Sequence, residues 1–107
     1  MDDEDAVRRI VARTWERNRP RVLARLARVR EALDDCPGGH DLPSELDADL
    51  HALVGALGTY GWLEASDVLF QVRASLADAS GDAAVRADLV ERLQQVEQQM
   101  IAGEPPH

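Results

Sequence analysis

Apolar residues in this chain recur at intervals of three and four and almost nowhere alternate with polar ones. Val22, Leu26, Val29 and Leu33 form one such series, and Leu46, Leu50, Leu53 and Leu57 form a second. Ala65, Leu69, Val72 and Leu76 form a third, and Val85, Leu89, Leu93, Val96 and Met100 a fourth. A repeat of three and four lines side chains along one face of an α-helix, whereas a half-buried strand needs a repeat of two. The chain is therefore expected to be all-α. Its 107 residues suit one domain with one core. Four amphipathic helices on short connections predict an antiparallel up-down four-helix bundle.

The punctuation between these series sets the expected boundaries. The acidic start Asp2–Asp5 suits a helix N-terminus, where negative charge meets the positive end of the dipole. Val7, Ile10, Val11 and Thr14 then read as an inward stripe, giving an additional, ancillary N-terminal helix over residues 1–19. Pro20 ends or bends that helix and can open the next, so the bundle is expected to run over residues 20–102. Two prolines and two glycines between Cys36 and Pro43 predict a loop. Ser44 follows as an N-cap, with Asp47 three residues on in place of the Glu of a capping box. The second bundle helix should end between Gly58 and Gly61, where glycine permits a left-handed cap, and a third should restart near Trp62. Ser80-Gly81-Asp82 should break the third helix, and residues 103–107 read as a flexible tail.

Charge is unevenly spread: residues 1–30 carry +4 and residues 31–107 carry −12, for a net −8, and every one of the twelve basic residues is arginine. That balance disfavours nonspecific binding to nucleic acid by the whole domain. The arginines between Arg17 and Arg30 are expected to pair with acids on neighbouring helices and in solvent. The single Cys36 excludes an internal disulfide, and no basic neighbour marks it as reactive. No charged-then-apolar leader and no membrane-spanning apolar run is present, so a soluble, cytoplasmic protein is expected. His40, His51 and His107 are scattered and lack a second cysteine, which argues against a metal site.

The segment His51–Gly61, HALVGALGTYG, sets three glycines after a histidine within a helical pattern. Each interior glycine costs a helix about 1 kcal/mol relative to alanine, so Gly55 and Gly58 suggest that something approaches from outside. At about 100° per residue, the leucines of this helix centre more than about 100° away from His51, Gly55 and Gly58. His51 should thus face solvent beside a bare strip of backbone, an arrangement suited to handing over a group.

Here the chain resembles the histidine-containing phosphotransfer domain, whose signature has a histidine, an apolar residue two on, a glycine at four and another at ten. Those are His51, Leu53, Gly55 and Gly61. The resemblance runs on through Ala56, Gly58, Thr59 and LEASDVLFQVRASL, and back to TWERNRPRVLARLARV, which is similar to the first bundle helix of actinobacterial versions. It implies a four-helix bundle with an exposed histidine that accepts a phosphoryl group from a receiver aspartate or a sensor histidine kinase and passes it to another receiver. The receiver would supply Mg²⁺ and the acidic pocket, and this chain would need no cofactor and no nucleotide loop. Val54 stands where the family usually has a lysine. Arg73 is the expected substitute, because it occupies a position on the following helix that often carries a polar residue facing the histidine. Gly55, Gly58, Val54, Tyr60 and Trp62 are the expected docking residues for the partner, and the domain is expected to be a monomer. Tyr60 and Trp62 can equally plug the end of the core.

A solvated imidazole has a pKa near about 6.5, so an exposed histidine offers a nucleophilic nitrogen at neutral pH. Two other readings stand beside the carrier. One is a degenerate bundle that binds a receiver or kinase as a scaffold without being phosphorylated. The other is a helical module using the Arg17–Arg30 face for nucleic acid or a regulator.

Overall fold

The computed structural model describes residues 3–35, 42–79, 81–103 and 105. Every regular element among them is helical: α1 (Asp3–Asp35), α2 (Glu45–Tyr60), α3 (Leu63–Ala74), the single turn α4 (Leu76–Ala79) and α5 (Ala83–Ala102). α1 packs against α2 and α5, and α3 also packs against α2 and α5, with the short α4 set against α3 and α5. The molecule measures 56 × 20 × 19 Å. α1 sets the long dimension, since its 33 residues rise about 1.5 Å each.

The four apolar series meet in one core. Val22, Leu26, Val29 and Leu33 of α1 face Leu46, Leu50, Leu53 and Leu57 of α2, Ala65, Leu69 and Val72 of α3, and Leu89, Leu93, Val96 and Met100 of α5. Trp15, fully buried, extends the α1 stripe by one heptad. Its ring lies 5.5 Å from both Tyr60 and Trp62, so three aromatics close this end of the core.

The expected ancillary helix over 1–19 is instead the first half of α1, which continues through Pro20. Proline removes one backbone donor and crowds the carbonyl four residues back, which here belongs to Glu16. Both Pro20 and Glu16 are exposed, so water can serve the freed carbonyl. Trp15 and Val22, both buried, stand seven residues apart on one stripe and hold the two halves in register. The inward stripe proposed before Trp15 is corrected too: Val7 and Ile10 are 57% and 63% exposed, because this end of α1 precedes the first core contact at Trp15.

Two further boundaries differ from expectation. Ser44 makes no side-chain cap bond and is itself in the helical region, so it does not cap α2. The third helix breaks at Ser75, five residues before Ser80-Gly81-Asp82, and restarts as α4; Leu76 is consequently only half-buried. Asp82 then caps α5 by accepting from the backbone N–H groups of Ala84 and Val85 at 2.9 and 3.2 Å. Arg86, almost wholly buried, donates to the carbonyl of Ala79 at 3.0 Å and so serves the end of α4. The tail is anchored at Gly103, whose carbonyl accepts from Arg19 at 3.0 Å, and Pro105 is buried.

The α2–α3 hairpin is built as the glycine spacing predicts. Gly61 has φ 91°, the left-handed conformation that only glycine adopts cheaply. Its N–H donates to the carbonyl of Gly58 at 3.2 Å, and the N–H of Trp62 donates to that of Leu57 at 2.9 Å. That pair of bonds is a Schellman motif, and buried Trp62 beside buried Leu57 supplies its usual apolar contact.

Candidate functional site

His51 lies on the exposed side of α2, opposite the buried stripe of Leu46, Leu50, Leu53 and Leu57. One turn earlier on the same side stands Asp47, also exposed. The Gly61 turn folds α3 back along α2 and brings Arg73, in the last turn of α3, to this pair. Arg73 Nε and Nη2 donate to the two carboxylate oxygens of Asp47 at 2.8 and 3.2 Å, a bidentate contact. Arg73 Nη1 lies 3.0 Å from His51 Nδ1. The expected partnership of His51 and Arg73 is thus present in space, 22 residues apart in sequence.

Electrostatics follow from that contact. The hydrogen bond from Arg73 holds the Asp47 carboxyl below its ordinary value of 3.8, with the positive charge of Arg73 acting in the same direction. Reciprocally, the hydrogen bond to Asp47 raises the guanidinium of Arg73. The trio therefore carries one fixed positive and one fixed negative charge beside an imidazole.

The other expected site residues divide into three groups. Gly55 is exposed, and a Cβ built on it meets nothing within 4 Å. Gly58 is half-buried and faces Ser66 of α3, whose Oγ lies 3.8 Å from where a Cβ would stand. Val54 and Tyr60 are partly buried and packed on the core. Val54 looks toward α3, and its carbonyl accepts from Ser66 Oγ at 2.9 Å. Trp62 is corrected as a docking residue: it is 7% exposed, set edge-on against Trp15, and belongs to the core. The Schellman turn points it inward. Trp15 Nε1 and Trp62 Nε1 are buried without a hydrogen-bond partner, and the Arg19 guanidinium lies over the Trp15 ring at 5.8 Å.

A groove of about 610 Å³ runs between α1 and α2 on the far edge of α2 from His51. Leu53, Ala56 and Tyr60 floor it, and Arg21, Arg25 and Arg28 rim it. Arg25 Nε stands 3.9 Å from Asp49, and Arg30 Nε donates to Glu97 of α5 at 2.7 Å, so some arginines pair across helices as the composition suggests. Among the described residues, Arg21 and Arg28 form no ion pair.

Sequence reading missed Asp47, which it assigned to a helix cap. The available signal was distance from the turn: Asp47 and Arg73 lie 14 and 12 residues from Gly61, so an antiparallel hairpin sets them near each other. Among the described residues no group of three or more His, Cys, Asp or Glu is disposed to hold a metal ion. Cys36, His40 and His107 lie outside those residues. Among the described residues no helix is long and apolar enough to cross a membrane. No family model, curated protein or solved structure matches the chain.

Proposed function

We propose that this domain is the phosphoryl carrier of a two-component phosphorelay, with His51 accepting the group from a receiver aspartate or histidine kinase and passing it to another receiver. The observation that carries the reading is Gly55. Nothing inside the molecule requires a glycine there, since a methyl group would meet open space, yet the helix bears the cost of one beside an exposed histidine. A reacting partner that must bring phosphorus to within bonding distance of the imidazole explains both residues at once.

In this reading the ring of contacts α1–α2–α3–α5 is the antiparallel up-down bundle of the phosphotransfer family, and its stiffness fixes the height of His51 above the surface. The imidazole is the only nucleophile required. The receiver brings Mg²⁺ and its acidic pocket, and the domain acts in the cytoplasm without catalytic machinery of its own. Arg73 takes the role that a lysine at position 54 has in the family, because Val54 is turned toward α3 while the guanidinium already stands beside the ring. It is the cation available to the phosphoryl oxygens.

One observation favours the scaffold alternative: His51 Nδ1 is already engaged by Arg73. Transfer from a phosphorylated receiver separates the readings. The carrier moves label from the receiver to the domain, and H51Q stops it; a scaffold binds the receiver and leaves the label where it was.

A further inference from the structure

A guanidinium has five N–H donors and no acceptor, and it stays charged throughout the pH range of proteins. In the contact between Arg73 Nη1 and His51 Nδ1, at 3.0 Å, Arg73 must donate and Nδ1 must accept. A neutral imidazole has one nitrogen with a proton and one with a free lone pair. With Nδ1 accepting, the proton sits on Nε2. Neither nitrogen is then free to attack: the lone pair of Nδ1 is held by Arg73, and Nε2 carries the hydrogen.

Arg73 is held in this position from its other side. Its Nε and Nη2 fork onto both oxygens of Asp47, leaving Nη1 directed at the ring. Asp47 and His51 are one turn apart on α2, so a single helix face fixes the distance between the anchor and the imidazole. We propose that Asp47 and Arg73 are positioning residues that hold His51 in its Nε2–H tautomer, a resting form that becomes nucleophilic when the guanidinium leaves Nδ1. This rests on the reading of His51 as phosphoacceptor and adds how that site is kept idle.

The transfer step shows why release is required. The Nε2 lone pair forms a bond to phosphorus while the bond from phosphorus to the aspartyl carboxylate oxygen breaks, and its electron pair leaves on the carboxylate. Nε2 can hold that lone pair only if the ring proton has moved through solvent to Nδ1, and Nδ1 can receive a proton only when Arg73 is not donating to it. After transfer, the Nδ1 proton passes to water. The incoming phosphoryl group supplies the release, since its three oxygens share up to about two negative charges, match the guanidinium fork and compete for it better than a neutral ring nitrogen does. Arg73 thus keeps the ring idle in the absence of donor and meets the phosphoryl group in its presence.

The test reads the tautomer directly, by two-dimensional ¹⁵N NMR of the His51 ring above its titration in the full chain, for wild type, Arg73→Met and Asp47→Asn. The residues are at the surface, so neither substitution touches the core. The wild-type ring should show the Nε2–H pattern, and the ratio of Nε2–H to Nδ1–H should fall about three- to tenfold in Arg73→Met and by less in Asp47→Asn. Labelling by phosphoramidate, a small donor that needs no docking, should be several-fold faster in Asp47→Asn, where Arg73 is present but unanchored. A wild-type ring in the Nδ1–H form, or a tautomer ratio indifferent to both substitutions, would overturn the proposal. Absence of label from all three proteins would instead sink the phosphoacceptor reading, and the spectra would still decide the tautomer.

Discussion

Gly55 and Asp47 carry the account at the scale of single residues. A Cβ at Gly55 has open space, so Gly55→Ala is expected to stabilise the fold by about 0.5–1 kcal/mol through helix propensity, measured by urea unfolding. On the proposed reading the same methyl group would stand in the path of the reacting partner, so transfer from a phospho-receiver should slow about tenfold or more, while labelling by phosphoramidate is unchanged. A variant that is more stable and equally fast with both donors would remove the reason given for the glycine. Asp47 gives the pH dependence. Its carboxyl titrates below the ordinary value because Arg73 donates to it, so the stabilisation from the pair is present above the unfolded value of 3.8 and is lost as pH falls through the lowered folded value. An NMR titration should place the Asp47 midpoint lower in wild type than in Arg73→Met. His51 and Gly55 were legible in the sequence because spacing along one helix is enough to place them. Asp47 was not, because its partner lies on another helix and its own helix offered a plausible local role as a cap.

Among the elements, α1 shows where packing outweighs local propensity. Pro20 predicts a break, and an isolated helix would lose about 3 kcal/mol to it. The buried stripe Trp15, Val22, Leu26, Val29 and Leu33 continues through it on the opposite side, and ordering one rod buries all five. Pro20→Ala is accordingly expected to raise stability by about 1–3 kcal/mol in thermal or urea unfolding, with the fold unchanged; a loss of stability would mean that Pro20 shapes α1 in a way the packing requires. The α2–α3 hairpin was legible because Gly61 is the residue a left-handed cap requires, and it occupies that cap with φ 91°. The break at Ser75 was not, since VRASLADA carries no glycine or proline to announce it. The exposed start of α1 was misread for a related reason: an apolar repeat records the capacity for burial, and Val7 and Ile10 lie before Trp15, where the buried stripe of α1 begins.

Over the whole molecule, the core is closed at one end by Trp15, Tyr60 and Trp62, which joins α1 to the hairpin that presents His51. Trp15→Ala should cost about 3–5 kcal/mol, a large share of the stability of a domain this size, and broaden the unfolding transition or abolish it. The all-α class, the four apolar series of the core and the exposure of His51 could be read from apolar spacing, whereas the arginine-rimmed groove between α1 and α2 could not, because it depends on how two helices are rotated against each other. Charge segregation along the sequence becomes a spatial division: arginines line the α1 edge of α2, and His51 with Asp47 and Arg73 occupies the α3 edge. The central claim concerns His51, and ³¹P NMR of the domain treated with phosphoramidate tests it most directly. The account predicts a phosphohistidine resonance that is lost on acidification, survives alkali and is missing from H51Q; an unmodified wild-type domain, or a resonance that persists in H51Q, would contradict it.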